Sequence, residues 1–321
     1  MGWKRKWAKD TVKALLPLGD QLRALKRRVI PYPVAPANDE LTLEQGLEQV
    51  RLVGQTIGPL KGRVVLELGV GWYPTIPLLF RAAGAERVIL ADLERLLDAR
   101  TFSNAANFLN TRAATVAEAL GLPLDEVRQS LTFGAGSTLD QLLVQANMEY
   151  RVPLELEGLT TDTVDVITSR AVLEHFAPES LESLLVSFER VLKPDAVMCH
   201  IIDNSDPWQH HDASISPVNF LRYDDSVMWA LGLNPQNYRN RLRHSEYLEL
   251  FERSGYEVVE ERGIVDEAAL KALETLPLCK QYENTPHEEL AKLTSYILVQ
   301  NARALVLQSL RGTALQQAIP R

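Results

Sequence analysis

The length, composition and charge of the chain exclude several classes of protein. Its 321 residues are 46% hydrophobic and 24% charged, which is ordinary for a soluble globular enzyme with a large core. No apolar run reaches the roughly 18 residues of a membrane span. The two cysteines, Cys199 and Cys279, argue against a disulfide framework and fit a reducing cytoplasm, where we expect the protein to be.

The charge is unevenly distributed along the chain. Residues 1–28 contain nine basic and two acidic residues, so this arm carries +7, whereas the whole chain carries −8. Tryptophan and leucine are interspersed with the basic residues, and a basic amphipathic helix of this kind can lie on anionic lipid. A helix that packs on the domain with solvated Lys and Arg is the simpler alternative. The acidic remainder argues against nucleic acid as a partner, because duplex binding depends on neutralising phosphates.

The sequence predicts one large domain after the arm. A Pro-rich linker follows the arm, so we assign residues 1–38 to arm and linker and residues 39–321 to the domain. Apolar residues at helical spacing predict a helix ahead of the core. From Arg63 onward, short Val/Ile/Leu runs alternate with helical stretches, which is typical of βαβ units and predicts an α/β fold with a mainly parallel sheet.

The predicted elements follow this alternation. Strands are expected at RVVLEL (63–68), RVILAD (87–92), DVITS (165–169), AVMCHIID (196–203), YEVVEERGIV (256–265) and TSYILVQ (294–300), and helices over about 74–83, from about 93, and over about 178–192. Insertions interrupt the pattern at about 112–148 and 204–247. Because ligands of open α/β sheets bind outside the carboxyl ends of the strands, we expect these insertions to wall or cover a substrate pocket.

The sequence VVLELGVGWYPTIPLLF places two glycines directly after the first strand. Gly69 and Gly71 allow a tight turn and a close approach to a ligand. Asp92 ends the second strand, where a carboxylate can accept hydrogen bonds from both hydroxyls of a ribose. This pattern is compatible with NAD, FAD or S-adenosylmethionine. Glu67 and Pro74 favour S-adenosylmethionine, because a carboxylate repels a pyrophosphate and Pro74 lacks an N–H to bind one.

Four motifs in order carry a family resemblance. VVLELGVG, VILADLE, VDVITSRAVLEHF and VLKPDAVM resemble the successive motifs of class I S-adenosylmethionine-dependent methyltransferases, over about Arg63 to Asp203. GVGWYPTIPLL further resembles a bacterial subgroup with Trp and Pro after the second glycine. The resemblance implies a Rossmann-like, doubly wound, mainly parallel seven-stranded sheet with helical insertions that form a lid, and S-adenosylmethionine as the cofactor.

The resemblance also implies which residues bind the cofactor. Residues that match Glu67, Gly69 and Gly71 contact the methionine part, and the match to Asp92 contacts the ribose. Further cofactor contacts are predicted at Glu155 for the adenine, at Ser169 after the fourth strand, and at Tyr73 over the methionine end.

Methyl transfer to oxygen or nitrogen needs alignment and, for a protonated nucleophile, a base, for which histidine is suited near neutral pH. His175 follows the fourth strand, where a structural role is the alternative. Asp206, His210 and His211 lie in a segment rich in His and Asp after the fifth strand. A divalent metal site, a His–Asp general base without metal, and a hydrogen-bonded loop all remain open there; we assign no metal ligands, since a metal is not favoured.

The same insertion contains candidates for binding the substrate. Arg222 and Tyr223 could bind an anionic group, and Arg241 and Arg243 offer the same chemistry or pair with surplus acids. The sequence therefore predicts a methyltransferase that acts on oxygen or nitrogen of a small or lipid-linked metabolite. An NAD-dependent oxidoreductase and a non-catalytic S-adenosylmethionine-binding protein are the alternatives, and the sequence names neither the acceptor nor the oligomeric state.

Overall fold

The computed structural model describes residues 36–231 and 238–301, together with Gly2 and Lys4. Apart from those two residues, the basic arm over 1–28 lies outside the described residues, and so does any lipid contact it makes. The helix predicted ahead of the core is confirmed as α1, Pro36–Ile57. Within the described ranges, every helix is too short or too polar to cross a bilayer.

Seven strands form one sheet in the order β3-β2-β1-β4-β5-β7-β6, which confirms the predicted Rossmann-like α/β class. The strands are β1 Val64–Leu68, β2 Arg87–Ala91, β3 Met148–Arg151, β4 Val164–Arg170, β5 Leu192–Asp203, β6 Tyr256–Val265 and β7 Lys292–Asn301. Strands β1 to β5 pair in parallel, and β7 runs antiparallel to both of its neighbours. The central strands are continuous apolar runs because both faces of the sheet are covered.

The helices alternate with the strands as the sequence predicts, with two shifted boundaries. After α1, the helices are α2 Thr75–Ala82, α3 Ala99–Thr111, α4 Ala113–Leu120, α5 Leu124–Ser130, α6 Leu139–Ala146, α7 Pro178–Phe188, α8 Asp225–Leu231, α9 His244–Arg253, α10 Glu267–Leu273 and α11 His287–Leu290. Helix α3 begins later than predicted because Asp98 caps it, accepting a hydrogen bond from the Thr101 N–H at 2.8 Å. Helix α7 ends at Phe188 because the chain enters β5 at Leu192.

The first insertion joins the helical layer on one face of the sheet. Helices α4, α5 and α6 bury Val116, Val127 and Leu142 in the apolar cluster that also contains Val50 of α1 and Leu79 of α2. Because these side chains share one core with α1 and α2, the insertion is a packed part of the domain.

The second insertion packs against a third insertion that the sequence analysis did not predict, residues 266–291 between β6 and β7. Their shared apolar cluster contains Val218, Phe220, Leu221, Ala269, Leu273, Cys279, Tyr282, Leu290 and Ala291. Strands β5 and β6 run in the same direction, since each is antiparallel to β7. Both insertions therefore leave the sheet at the edge where β1, β2 and β4 also end.

Candidate active site

The glycine loop after β1 is held by hydrogen bonds that its backbone N–H groups donate. The Gly69 N–H donates to the Ala91 carbonyl at 2.8 Å, and the Gly71 N–H donates to Asp92 Oδ2 at 2.8 Å. Gly69 has φ +74°, and a Cβ there would lie 2.4 Å from Val172 Cγ2, so both the backbone and the packing require glycine. Gly71 has φ +63°, and a Cβ there would meet no atom within 4 Å. The loop is thus fixed at Gly69 and bordered by open space at Gly71.

Asp92 orients this loop with one oxygen and the start of the next segment with the other. Its Oδ1 accepts from the Leu93 N–H at 2.7 Å. A carboxylate offers about four lone-pair sites, so further hydrogen bonds remain possible. The Leu93 side chain that follows is 77% exposed, which places an apolar surface beside the carboxylate.

The carboxyl group of Glu67 is buried at the end of β1. The hydroxyl of Thr168, its register partner on β4, donates to Glu67 Oε2. Burial raises the pKa of Glu67 to about 7, although the Thr168 hydrogen bond and the charge of Arg170 oppose the rise. Because burial penalises the carboxylate and the charge of Arg170 offsets this penalty only in part, this position favours a positively charged ligand.

Two glutamines of α1, which the sequence analysis missed, contact the end of β4 and the interior of β5. Gln45 Oε1 accepts from Arg170 Nε at 2.5 Å. The Gln49 amide donates to the carbonyls of Ser169 and Cys199 at 3.1 and 2.9 Å. Both glutamines are buried, and their spacing of one helical turn on a buried face is the signal that could have found them.

The remaining cofactor candidates occupy different surroundings. Tyr73 is half-buried and packs against the apolar cluster that includes α2. Glu155 is exposed in the loop after β3, which the hydrogen bond from Leu154 N–H to the Asp92 carbonyl holds beside Asp92. The Ser169 side chain is fully buried, with its Oγ 2.7 Å from His200 Nδ1. The structure therefore brings Glu67, Gly69, Gly71 and Asp92 to one edge, with Glu155 in a neighbouring loop, while the hydroxyl of Ser169 is engaged inside the sheet.

Asp203, at the end of β5, organises a second group of side chains. Its Oδ1 accepts from Ser205 Oγ at 2.6 Å, and its Oδ2 lies 3.7 Å from both His210 Nε2 and Arg239 Nη2. Burial raises the pKa of Asp203, but His210, Arg239 and Ser205 together lower it to about 2. The attraction of Asp203 in turn raises the pKa of His210, whose side chain is 54% exposed. A carboxylate that stays ionised thus faces an accessible imidazole.

The other two predicted catalytic residues of this segment, Asp206 and His211, differ in burial. Asp206 is fully buried, accepts from the Trp208 N–H at 2.8 Å and from the Asn219 amide at 3.3 Å, and so holds its own loop together. Burial raises its pKa to about 6. His211 is exposed at the end of a short turn, Gln209–His211. Among the described residues, no group of three or more His, Cys, Asp or Glu side chains could hold a metal ion.

Glu174 and Arg239 form an ion pair at the end of β4. Arg239 Nη1 lies 2.6 Å from Glu174 Oε1, and burial raises the pKa of Glu174 to about 7. In the neighbouring His175, Nδ1 lies 3.2 Å from the Tyr238 carbonyl. Desolvation by the surrounding protein and the positive charge of Arg239 lower the pKa of His175 to about 4, so this imidazole is neutral at physiological pH. The sequence analysis missed Arg239, which nothing in the local sequence distinguishes from Arg241.

The arginines that the sequence analysis selected have other surroundings. Arg241 is buried and donates to the carbonyls of Phe220 and Tyr223 at 3.2 and 2.6 Å. Arg222 is exposed, with its guanidinium 5.6 Å from the centre of the Tyr223 ring. Arg222 and Tyr223 therefore form a stacked pair on the second insertion, at its surface.

The model of a family described as "Methyltransferase domain" matches residues 45–261. A solved S-adenosylmethionine-dependent methyltransferase from Mesorhizobium loti is 14% identical, with a TM-score of 0.44, over 81% of this chain and 100% of that one. A magnesium protoporphyrin IX methyltransferase from Synechocystis with bound S-adenosylhomocysteine is 11% identical, with a TM-score of 0.43, over 87% and 93%. Both likenesses are too distant to indicate a substrate. No curated protein matches the chain in sequence.

Proposed function

The chain belongs to the methyltransferase-domain family, and we propose that it transfers a methyl group from S-adenosylmethionine to an oxygen or nitrogen of a small or lipid-linked metabolite. The observation that carries this proposal is the buried carboxyl group of Glu67 beside the glycine loop, which accepts a hydrogen bond from the uncharged hydroxyl of Thr168. The cationic amino group of S-adenosylmethionine supplies the charge that this carboxyl needs.

The residues at the ends of β1 and β2 fit the rest of the cofactor. Asp92 has lone pairs for the ribose hydroxyls, and the exposed Leu93 offers an apolar surface to the base. When bound, S-adenosylmethionine supplies an electrophilic methyl group on a sulfonium leaving group. The N–H groups of Gly69 and Gly71 already donate to Ala91 and Asp92, so they do not serve a pyrophosphate, which disfavours NAD.

His210 is the proposed general base. Its Nε2 faces the ionised Asp203, which stabilises the imidazolium, so the proton of the nucleophile is accepted at Nδ1. Ser205 and Arg239 fix the Asp203 carboxylate and thereby the imidazole beside it. His175, already neutral, is the second candidate, but it lacks a carboxylate at ion-pair distance among the described residues.

The proposal is tested with methyl-labelled S-adenosylmethionine and a fractionated metabolite extract. The full-length protein should transfer label to at least one fraction, and His210→Ala should reduce the transfer while the affinity for S-adenosylhomocysteine stays the same. Unchanged cofactor binding with no labelled product in any fraction would instead support a binding protein that does not catalyse.

A further inference from the structure

Arg170, the last residue of β4, is a cation that forms no ion pair with a described residue. Its Nε donates to Gln45 Oε1 at 2.5 Å, which is the only hydrogen bond of its side chain within residues 36–231 and 238–301. The N–H groups of Nη1 and Nη2 therefore have no acceptor in that part of the chain. The side chain is half-buried, and burial lowers the pKa of its guanidinium. A partly desolvated cation with unused donors favours an anionic ligand.

The backbone after β4 and a glutamine of α1 fix the position of Arg170. Ala171 has φ +54°, which is uncommon for a residue with a Cβ, and its N–H donates to the Ile201 carbonyl at 2.8 Å. Such a backbone persists where the surrounding structure imposes it, and it is concentrated at active sites and ligand sites. Gln45, which is buried on α1, holds Nε of the guanidinium. Strand β4 and helix α1 together therefore present Arg170 in a defined place.

The carboxyl groups that attract Arg170 have other partners. Asp203, Glu174 and Glu67 raise its pKa, in that order of strength, but they do not offset the effect of burial. Glu174 Oε1 lies 2.6 Å from Arg239 Nη1, and Asp203 Oδ2 lies 3.7 Å from Arg239 Nη2. Glu67 is the proposed partner of the cofactor ammonium group. Once the cofactor is bound, Arg170 thus remains without a close counterion among the described residues.

The sheet places Arg170 between the cofactor residues and the proposed base. The pairing of β1 with β4 ends at Ser169, so Arg170 lies beyond the end of β1. On its other side, Arg170 pairs in register with Ile201 of β5, two residues before Asp203. Asp203 also attracts it more strongly than Glu67 does. A group bound to Arg170 therefore lies on the side of the cofactor where the methyl acceptor meets the base.

The charges at this edge select the kind of anion. A guanidinium donates two parallel hydrogen bonds to a carboxylate or to a phosphate. A phosphate monoester carries about −1.5 to −2 charges at pH 7, so Asp203 and Glu174 would repel it more strongly than they would repel a carboxylate. The single charge of a carboxylate is one that Arg170 alone can neutralise.

We infer that Arg170 binds a carboxylate group of the methyl acceptor through Nη1 and Nη2, with Gln45 as the residue that positions its guanidinium. The inference rests on the proposed methyl transfer and adds the charge of the acceptor to it. Binding at Arg170 leaves the contacts of Arg239 with Glu174 and Asp203 in place, so the environment of the proposed base is kept. The carboxylate of the cofactor is the other source of such a group, and the experiment separates the two.

Ligand-observed NMR with three matched probes tests the inference on full-length protein saturated with S-adenosylhomocysteine. Hexanoate, hexanamide and hexylammonium have the same chain length and differ in charge. Hexanoate should receive the strongest saturation from the protein. Arg170→Met should weaken hexanoate binding by at least about tenfold, the factor for a lost charge-assisted hydrogen bond. Arg128→Met, which removes an exposed arginine of the first insertion, is the control and should bind hexanoate as the wild type does.

Equal or stronger saturation of hexanamide or hexylammonium in the wild type would overturn the inference, whether or not the variant folds. Hexanoate binding that is unchanged in folded Arg170→Met would overturn it as well.

Calorimetric titration with S-adenosylhomocysteine and with 5′-deoxy-5′-methylthioadenosine, which lacks the amino-acid end, identifies the source of the carboxylate. Arg170→Met should bind both as tightly as the wild type does. A loss of affinity for S-adenosylhomocysteine alone would assign Arg170 to the cofactor carboxylate and overturn the inference, while the methyltransferase proposal would stand. Failure of the wild type to bind S-adenosylhomocysteine would instead refute the proposed function.

Discussion

The two halves of the candidate active site are built in different ways. At the ends of β1 and β2, backbone geometry shapes the site: two glycines with positive φ and a carboxylate that accepts from one of them lie between residues 69 and 92. At the ends of β4 and β5, ionisable side chains shape it, with Glu174, Asp203 and Arg239 drawn from three separate segments. The first half is therefore a local motif, whereas the second exists only once the insertions pack. Substitutions in the two halves should therefore have different effects on catalysis, stability and cofactor binding.

The largest effect should follow from removal of the proposed base in the second half. We expect His210→Ala to lower kcat by roughly 100- to 10,000-fold, the range for a general base, with little change in cofactor affinity. His211→Ala, which removes the adjacent exposed imidazole, is the control and should leave kcat nearly unchanged. The kcat of both variants is measured with the metabolite that receives the methyl label. Equal decreases in kcat for the two variants would refute the assignment of His210 as the general base.

The backbone of the first half should be sensitive to a single methyl group. Gly69→Ala combines a positive φ with a Cβ 2.4 Å from Val172 Cγ2, so we expect it to lower the free energy of unfolding by about 2–4 kcal/mol. Gly58 has φ +79°, and a Cβ there would meet no atom within 4 Å, so Gly58→Ala should cost only about 1 kcal/mol. Urea denaturation measures the free energy of unfolding of both variants. Similar decreases would show that the Val172 side chain moves to make room for the new Cβ.

Loss of the Asp92 carboxylate should weaken the cofactor site itself. Asp92→Ala removes the proposed ribose acceptor and the acceptor of the Gly71 N–H, so we expect S-adenosylhomocysteine to bind about 1–3 kcal/mol more weakly. Asp98→Ala, which removes the cap of α3, should lower the thermal stability without a comparable change in affinity. Calorimetry that found equal affinity losses in the two variants would contradict a direct role for Asp92.

A smaller effect, proton release, distinguishes the two buried glutamates. Burial raises the pKa of Glu67 to about 7, so part of the carboxyl population is protonated near pH 7, and an ammonium ligand that lowers this pKa should release a fraction of a proton. We expect S-adenosylhomocysteine binding to release this proton in the wild type and in Glu174→Gln, but not in Glu67→Gln. Calorimetry in buffers of different ionisation enthalpy measures it. Release that survives Glu67→Gln would place the titrating group elsewhere.

The same raised pKa has a consequence for stability. Between the ordinary pKa of 4.5 and about 7, folded Glu67 holds more protons than the unfolded chain does. Stability from this residue should therefore fall as the pH rises through that window. The free energy of unfolding of Glu67→Gln, measured over the same pH range, should lack this decrease. If the wild type instead gained stability relative to the variant as the pH rose, the raised pKa of Glu67 would be contradicted.

The comparison of the two halves also explains how much the sequence could predict. Six of the seven strands and the glycine loop were predictable because apolar runs and closely spaced glycines are local patterns, and Glu67, Gly69, Gly71 and Asp92 do meet at one edge. The sequence analysis did not predict β3, because its residues, Met148–Arg151, form no apolar run. The insertion over 266–291 was missed because its buried face packs against the second insertion, so no periodicity in either segment reveals the partner. Arg239 was missed for a related reason, since only its contacts with Glu174 and Asp203 in the fold distinguish it from Arg241 and Arg243, which are also buried.

The His-rich segment after β5 shows the limit most clearly. Asp206, His210 and His211 lie close together in sequence, but Asp206 is buried and accepts from the Trp208 N–H, whereas His210 and His211 are exposed. Asp203, which sequence spacing did not single out as a catalytic residue, is the carboxylate that lies within 3.7 Å of His210. The clustering of His and Asp along the chain therefore indicated the segment after β5, but it did not identify the pair of Asp203 and His210.

The most direct test of the central claim is a calorimetric titration of the full-length protein with S-adenosylhomocysteine at pH 7. The arrangement of Glu67, the glycine loop and Asp92 predicts binding to one site with a dissociation constant in the micromolar range, while NADH gives no heat. Absence of S-adenosylhomocysteine binding in folded protein, or binding of NADH instead, would contradict the assignment of this site to a methyl donor.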